Sequence, residues 1–297
     1  MDERTLSIIK KYKTPLYVFD EEEIENQIKK LKQQSAKSYG LCFAVKANPF
    51  IVEMLNPYVD RFEACSPGEY QILLDKKIST TKIVYSGVNK RFEDMEDIIS
   101  KKFDGIITVE SKQQWKNMVL LASKYQHRPN VIVRLSSGNQ FGVSYNDLLT
   151  MVLENKVNDS CKLLGVHFFS GTQKKNIKEI EKELIYIDTC CKKIKNKADV
   201  TIGEIEYGAG LYAEYFSEED DSEYLAAVYK FIDSSLCDYR VTIELGRYIA
   251  YTCGRYFTSV VDVKNTGKNN YAIVDGGIHQ LMYYGQLLGI RVPPTIA

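Results

Sequence analysis

Residues 43–50 read FAVKANPF, an apolar run that is interrupted by a lysine and followed closely by Asn-Pro. Together with the residues before it, segment 40–45 (GLCFAV) has the length and apolar content of a buried parallel strand. Removing a lysine from water at the end of such a strand is costly, so we expect Lys46 to have a chemical role. Burial would also lower the pKa of Lys46 and make its amine a nucleophile.

Seven more apolar runs of this kind follow Lys46, separated by amphipathic helical patterns. They are 61–65 (RFEAC), 82–86 (KIVYS), 105–109 (GIITV), 130–135 (NVIVRL), 163–168 (LLGVHF), 203–207 (GEIEY) and 240–244 (RVTIE). Eight strands alternating with helices over roughly 225 residues predict a (β/α)8 barrel, which we assign to residues 20–247. A doubly wound open sheet has the same alternation, because strand order is not visible in a sequence.

Two helical patterns are clearest. One covers 174–196 and carries a regular apolar face. The other begins after Asp20, a good N-cap residue, with Glu23 in the position of a capping-box partner.

The two ends of the chain do not follow the alternation. Residues 14–19 (TPLYVF) predict a strand, and 256–264 (YFTSVVDVK) with 271–274 (YAIV) predict a hairpin. We therefore expect a β-rich domain made of residues 1–19 and 248–297. Two or three strands leave unpaired edges and little core, so we expect this domain to be incomplete at Ala297.

Composition excludes several classes of function. The chain has 297 residues, and its 39 basic and 39 acidic side chains balance, so nothing favours a nucleic-acid or membrane partner. No apolar run reaches the roughly 18 residues of a membrane span, and no signal peptide is apparent. Seven cysteines without a regular framework are typical of a reducing compartment, so we expect a cytoplasmic protein. No Cys/His spacing predicts a metal site.

Polar and glycine residues follow the predicted strands, at the end where (β/α)8 barrels carry their chemistry. They include Lys46, Glu63, Ser86, Arg134, His167, Phe169 and Thr172. After the last two strands, YGAGLY supplies Gly208, Ala209 and Gly210, and ELGRY supplies Glu244, Gly246 and Arg247. Loops at these two places commonly bind phosphate, and glycines allow backbone N–H groups to approach it.

A nucleophilic lysine and a phosphate site at one barrel rim indicate pyridoxal phosphate. Glu244 would then face the pyridine nitrogen and keep it protonated, which makes the ring a strong electron acceptor. The alternative for Glu244 is a structural ion pair with Arg247.

These motifs resemble the fold-type III pyridoxal-phosphate decarboxylases, the group of diaminopimelate, ornithine and arginine decarboxylases. FAVKAN, FEACSPGE, VYSGVNK, VES at 109–111, NQFGV, GVHFFSGTQ, YGAGLY, ELGR and VDGG occur in the family's order between about residues 14 and 285. Within this group, the motifs are most similar in sequence to those of diaminopimelate decarboxylase. The resemblance implies that Lys46 forms the Schiff base, that Thr172 and the glycine loops bind phosphate, and that Glu244 faces the ring nitrogen.

The chain also departs from the family pattern. Glu63 stands where the family usually has Asp, Ala209 replaces a glycine, and Phe169 replaces the histidine that stacks on the cofactor ring. His167 lies two residues before Phe169, so both side chains should face the same side of their strand. The resemblance places the family's catalytic cysteine beyond Ala297, and none of the seven cysteines here matches it. It also implies a homodimer whose partner subunit donates that acid, so we expect this chain alone to lack turnover.

We therefore expect a decarboxylase of a small-molecule amino acid, diaminopimelate or another basic one, acting through the Lys46 Schiff base and a quinonoid. A decarboxylase of carrier-protein-bound aminoacyl groups is the main alternative. An amino-acid racemase and an inactive regulatory homologue are two others. Glu244 disfavours the racemase, because such racemases place an arginine at the ring nitrogen.

Overall fold

The computed structural model describes residues 3–35, 37–215 and 220–281. The strands in this part of the chain are β1 Leu16–Phe19, β2 Gly40–Ala44, β3 Arg61–Ala64, β4 Ile83–Tyr85, β5 Ile106–Val109, β6 Asn130–Leu135, β7 Lys162–Phe169, β8 Glu204–Gly208, β9 Arg240–Leu245, β10 Gly254–Phe257, β11 Val260–Asn265 and β12 Asn270–Val274. The helices are α1 Glu3–Tyr12, α2 Glu21–Lys32, α3 Val52–Leu55, α4 Pro67–Asp75, α5 Phe92–Ser100, α6 Lys112–Lys124, α7 Tyr145–Asn158, α8 Ile177–Ala198, α9 Ser222–Ser235 and α10 Arg247–Ala250.

Strands β2 to β9 form a closed barrel in sequential order, with every neighbouring pair parallel. Closure is made by β9 pairing with β2, where Gly40 lies opposite Thr242. The predicted (β/α)8 barrel is confirmed, and the open sheet is excluded. Every strand is therefore paired on both edges, which explains why the sequence of each is mostly buried and apolar.

The helices cover the outside of the barrel with their apolar faces. On α8 the buried positions include Ile180, Leu184, Ile187 and Ile194, which recur at helical spacing. Inside the barrel, Cys42, Val84, Ile106 and Ile132 form an apolar cluster with Leu164 packed against it. The barrel thus has an apolar shell outside its strands and an apolar layer within, which leaves its polar interior side chains tightly enclosed.

Two helices differ from the prediction. Helix α8 begins at Ile177 rather than at 174, because the side chain of Asn176 caps it by accepting the N–H of Lys178 at 3.1 Å. Lys174 instead belongs to a loop, in which its N–H donates to the carbonyl of Gly210 at 3.0 Å. Helix α1 was not predicted; it has Glu3 in its first turn and lysines in its last, as the helix dipole favours.

The chain divides into two compact units, and the barrel belongs to the larger one, Ile24–Ala213 with Asp220–Ala250. In the described part of the smaller unit (3–23, 214–215 and 251–281), β1 pairs antiparallel with β10, and β11 pairs antiparallel with β12. The N-terminal strand therefore joins the β-rich part of the chain, as expected. The remainder of that predicted domain, 282–297, lies outside the described residues.

The prediction of one strand over 256–264 is wrong, because β10 and β11 are separate. Asp275 interrupts them: its carboxylate accepts the hydroxyl of Thr258 at 2.8 Å and the N–H of Ser259 at 2.9 Å. A backbone N–H bound in this way is not available to a strand ladder. Among the described residues, no helix is both long and apolar enough to cross a membrane.

Candidate active site

Lys46 lies in a short 3-10 turn, Val45–Ala47, directly after β2 at the C-terminal mouth of the barrel. Its Nζ donates to Oε2 of Glu63 at 2.7 Å and lies 3.3 Å from Sγ of Cys65. The expected low pKa is wrong for this structure. Burial acts in that direction, but the carboxylates of Glu63 and Glu244 outweigh it and raise the pKa of Lys46 above its ordinary value. The lysine side chain is also 46% exposed, so it is less desolvated than its strand suggested.

Glu63 is the buried partner of this lysine, with only 2% of its side chain exposed. Burial alone would raise the pKa of its carboxyl. Because Lys46 and His167 stabilise the anion, the pKa falls instead, to about 2. The position thus holds a permanent negative charge beside the lysine.

His167 and Glu244 form a second polar pair, joined by a 2.9 Å hydrogen bond between Nε2 and Oε2. They lie on β7 and β9, which are separated by β8, so this bond crosses the inside of the barrel. Burial opposes a charge on His167, yet the bond to Glu244 raises the pKa of the imidazole. Ligand-type atoms of Glu63, His167 and Glu244 all lie within 4.8 Å of one another.

The glycine loops are packed so closely that larger residues would not fit. Gly210 has φ +60°, and a Cβ there would lie 2.1 Å from the carbonyl oxygen of Gly171. A Cβ on Gly208 would meet the ring of Phe169 at 2.6 Å, and one on Gly246 would meet the Cβ of Ala47 at 2.8 Å. The loops after β7 and β8 therefore pack against each other at the rim, and Gly246 after β9 packs against the turn that carries Lys46.

The other predicted phosphate-side residues lie on these same loops. Ala209 is buried, Thr172 is exposed in the loop after β7, and Arg247 is half-buried at the first residue of α10. The structure thus places these loop residues and the Lys46–Glu63 pair at the same C-terminal mouth of the barrel.

Phe169 ends β7 and lies beside Lys46. The lysine Nζ is 5.9 Å from the centroid of the phenylalanine ring, and the guanidinium carbon of Arg134 is also 5.9 Å from it. An aromatic ring is therefore presented next to the amine, and its contact with the cofactor ring stays a prediction.

Arg134 and Ser86 are buried at the same end of the barrel. Arg134 donates from Nη1 to Oε2 of Glu110 at 3.1 Å. Its guanidinium carbon lies 4.9 Å from the centroid of the Phe141 ring. Its Nε and the hydroxyl of Ser86 have no hydrogen-bond partner among the described residues. Buried polar atoms of this kind normally have a partner, so both are available to a bound molecule.

Several charged residues of this region were missed by the sequence reasoning. Near Arg134, Lys90 is buried, and this burial lowers its pKa to about 8 although Glu110 opposes the shift. Deeper in the barrel, Arg61 bonds both Glu204 and Glu206. The sequence did indicate these residues: Arg61 and Glu63 in RFEA, and Glu204 and Glu206 in EIEY, are two positions apart. Each pair must therefore share one face of its strand.

Comparison with known proteins decides what this site belongs to. Residues 21–251 match the family described as "Pyridoxal-dependent decarboxylase, pyridoxal binding domain". The chain belongs to this family. It is accordingly a pyridoxal-dependent decarboxylase, as its motifs predicted.

Individual members of the pyridoxal-dependent decarboxylases are distant in sequence but cover most of the chain. An L-glutamyl-[BtrI acyl-carrier protein] decarboxylase of Niallia circulans is 23% identical over 92% of this chain and 69% of its own length. A diaminopimelate decarboxylase of Campylobacter jejuni is 24% identical over 91% of this chain and 72% of its own. A crystal structure of SrLDC in complex with PLP and cadaverine superposes with a TM-score of 0.81 at 21% identity, covering 98% of this chain and 74% of that one. The last comparison supports the fold.

Proposed function

We propose that the protein of which this chain forms the barrel removes the α-carboxylate of a free diamino or basic amino acid, with Lys46 as the residue that holds pyridoxal phosphate. The observation that carries the assignment of the site is the single cluster of Lys46, Glu63 and Glu244 at the mouth of the barrel. Nζ of Lys46 donates to Oε2 of Glu63 at 2.7 Å. A carboxylate oxygen of Glu244 lies within 4.8 Å of one of Glu63.

The chemistry of these residues fits the cofactor. Lys46 offers an amine for its aldehyde, Glu244 an acceptor for the proton of its ring nitrogen, and Phe169 an aromatic face for the ring. Gly208, Gly210 and Gly246 lie in loops at this mouth where the backbone is closely packed and a Cβ would collide with neighbouring protein atoms. Glycine loops of this kind leave backbone N–H groups accessible to a phosphate. The partnerless hydroxyl of Ser86 and Nε of Arg134 add further donors.

In the reaction, the residues of this chain mainly bind, orient and hold protons. Pyridoxal phosphate, when bound, supplies an electron acceptor for the pair left on Cα as the carboxylate departs as CO2. Glu244, which accepts a hydrogen bond from His167, would hold the ring nitrogen of the cofactor. Glu63 stays ionised down to about pH 2 and orients the ammonium of Lys46. Thr172 and Arg247 lie on the loops that would receive the phosphate.

The identity of the substrate is the point to test. Diaminopimelate is named for one relative and a carrier-bound glutamyl group for another. The full-length protein, loaded with pyridoxal phosphate, should release CO2 from diaminopimelate, lysine, ornithine or arginine in a panel of L and D isomers. A matched panel of aminoacyl groups on a carrier protein serves as the comparison. CO2 release confined to the carrier-bound substrates would overturn the proposal of a free amino acid, and racemisation without CO2 would overturn decarboxylation itself.

We also propose a cytoplasmic homodimer. All seven cysteines are free thiols in the structure, which supports a reducing compartment. The dimer rests on the family resemblance, and light scattering on the full-length protein tests it. Mixing subunits inactivated at Lys46 with subunits that lack the acid expected from the partner subunit would restore activity if sites are shared between subunits.

A further inference from the structure

Glu206 is a buried carboxylate on β8 that the proposed reaction does not use. None of its surface is exposed. Its Oε2 accepts a hydrogen bond from Arg61 at 3.1 Å, and its Oε1 has no partner among the described residues. Because Arg61 lies on β3, which is not a neighbour of β8 in the barrel, this bond crosses the interior. Glu206 therefore points inward.

The same reasoning places His167 inward, since its bond to Glu244 also crosses the barrel. In the register of β7 with β8, His167 lies directly opposite Glu206. Two inward side chains at one register position on adjacent strands are neighbours. His167 has its own unmatched atom, Nδ1, which is buried and lacks a partner among the described residues.

We propose that Glu206 is a positioning residue of the candidate active site: once a proton lies between them, its unpartnered Oε1 and the unpartnered Nδ1 of His167 close into a hydrogen bond that keeps the Nε2 proton of His167 on Glu244. This inference rests on the proposed role of Glu244 at the ring nitrogen. The hydrogen bonds would then run from Glu206 through the imidazole of His167 to Glu244.

One proton shared by Glu206 and Nδ1 of His167 is enough to maintain both hydrogen bonds of the imidazole. With the proton on Glu206, the carboxylic acid donates to Nδ1; with the proton on Nδ1, the imidazole donates to the carboxylate. In both arrangements Nε2 keeps its own proton and donates to Glu244. When the shared proton is lost, the neutral imidazole has one N–H for two carboxylates. In a fraction of the molecules this proton lies on Nδ1, and the hydrogen bond from Nε2 to Glu244 is lost.

Loss of that proton falls in an accessible range of pH. Burial raises the pKa of Glu206 to about 7, while His167 and Arg61 act in the opposite direction. The charged and titratable groups facing Glu206 are Cys42 on β2, Arg61 and Glu63 on β3, His167 on β7, Glu204 on β8 and Glu244 on β9. The positive charges nearest to it are also bound to other carboxylates, so they stabilise the Glu206 anion less, and the carboxyl group keeps its proton up to about neutral pH.

Nitrogen NMR of the histidines tests the proposal without the cofactor. The chain has three histidines, so ¹⁵N-histidine labelling of this chain yields three imidazoles, assigned with His127→Gln and His279→Gln. From about pH 6 to about pH 8, Nδ1 of His167 should change with a midpoint near that of Glu206. In Glu206→Gln, whose amide is neutral, that midpoint should disappear or move by more than one pH unit. Thr108→Val, which alters another buried residue with an unpartnered side-chain oxygen, should keep it.

The loaded protein supplies the second measurement. Glu206→Gln should bind pyridoxal phosphate within about threefold of wild type, yet lose the pH dependence of its visible absorbance in the same range. If His167 titrates alike in wild type and Glu206→Gln, or holds one fixed neutral tautomer throughout in wild type, the role of Glu206 is refuted. That result is independent of cofactor binding. Failure of the wild-type protein to bind pyridoxal phosphate would instead refute the proposed function and leave the NMR result standing.

Discussion

At the scale of single residues, Lys46 is the side chain on which the site depends. The sequence indicated a desolvated, nucleophilic amine, whereas the structure shows an ammonium bound to the buried carboxylate of Glu63. The ammonium must lose a proton before its nitrogen can attack an aldehyde. The protonated amine is the resting form, and Glu63 keeps it aimed into the mouth of the barrel.

The role of Lys46 is directly measurable. We expect the purified, cofactor-loaded protein to absorb in the visible region, and borohydride reduction to fix the cofactor on Lys46, as read by peptide mass spectrometry. Lys46→Ala should lose both the visible band and all detectable turnover. Lys90→Ala is the matched control, since it removes another lysine buried at this end of the barrel. Label recovered on Lys90 instead would show that the assignment to Lys46 is wrong.

Glu244 should matter for turnover more than for binding. Glu244→Gln preserves the shape of the side chain but removes its charge, so the ring nitrogen would lose its anionic partner. We expect cofactor affinity to change by less than about threefold and kcat to fall by about a hundredfold or more. Steady-state kinetics together with a cofactor titration separate these effects. Unchanged kcat would reduce Glu244 to a structural partner of His167.

Phe169 should hold the cofactor by packing. Phe169→Ala removes the ring that stands 5.9 Å from Nζ of Lys46, so we expect pyridoxal phosphate to bind on the order of tenfold more weakly. Phe169→His keeps an aromatic face and should bind within about threefold of wild type. Equilibrium dialysis measures both. Equal affinity of the alanine variant and wild type would contradict a contact between Phe169 and the cofactor.

At the scale of elements, the loops after β7 and β8, which we propose receive the phosphate, pack against each other at the mouth of the barrel. The N–H of Lys174 donates to the carbonyl of Gly210, and the carbonyl of Gly171 lies against the bare face of Gly210. Neither loop can therefore move without the other. Behind them, Glu183 of α8 accepts hydrogen bonds from Ser170, Lys174 and Tyr207, which ties the loop to the helix.

Gly210→Ala tests this arrangement. Its positive φ alone costs a non-glycine residue about 1–2 kcal/mol, and the added Cβ would lie 2.1 Å from the oxygen of Gly171. We expect cofactor affinity to fall by at least about tenfold, because the two loops must separate. Gly138→Ala is the control, since it also has a positive φ but no neighbour within 4 Å. A similar small effect in both variants would show that the loop contact is unimportant for the cofactor.

At the scale of the whole molecule, the barrel interior carries charges that make stability depend on pH. Glu206 has a folded-state pKa of about 7 against an ordinary value of 4.5. The folded state therefore binds this proton more tightly than the unfolded state. Its contribution to the free energy of unfolding is fully present at about pH 4.5 and is lost as the pH rises through about 7.

We therefore expect the wild-type barrel to lose more stability than Glu206→Gln between pH 5 and pH 8. The difference should be on the order of 2–3 kcal/mol, since each pKa unit corresponds to about 1.4 kcal/mol. Urea unfolding of both proteins at the two pH values gives it directly. Equal pH dependence in the two proteins would mean that Glu206 titrates normally in the fold.

The sequence by itself determined the eight strands, their alternation with helices and the polar residues that follow them, whereas closure into a barrel was decided by the pairing of β9 with β2. Apolar runs of five or six residues separated by helical periodicity allow few other folds, and a lysine such as Lys46 is conspicuous at the end of such a run. The ordered motifs then identified the family. These signals are local, so they are readable without coordinates.

Only the tertiary structure decided how the polar side chains are paired. Nothing in the sequence joins His167 to Glu244, Lys46 to Cys65, or Arg61 to Glu206, since each pair is brought together across the closed barrel or between successive strands. The split between β10 and β11 likewise depended on Asp275, which lies far along the chain from β10. Charge states follow the same rule: the pKa of a side chain is set by its burial and by neighbours that are distant in sequence, and closure of the barrel supplies both.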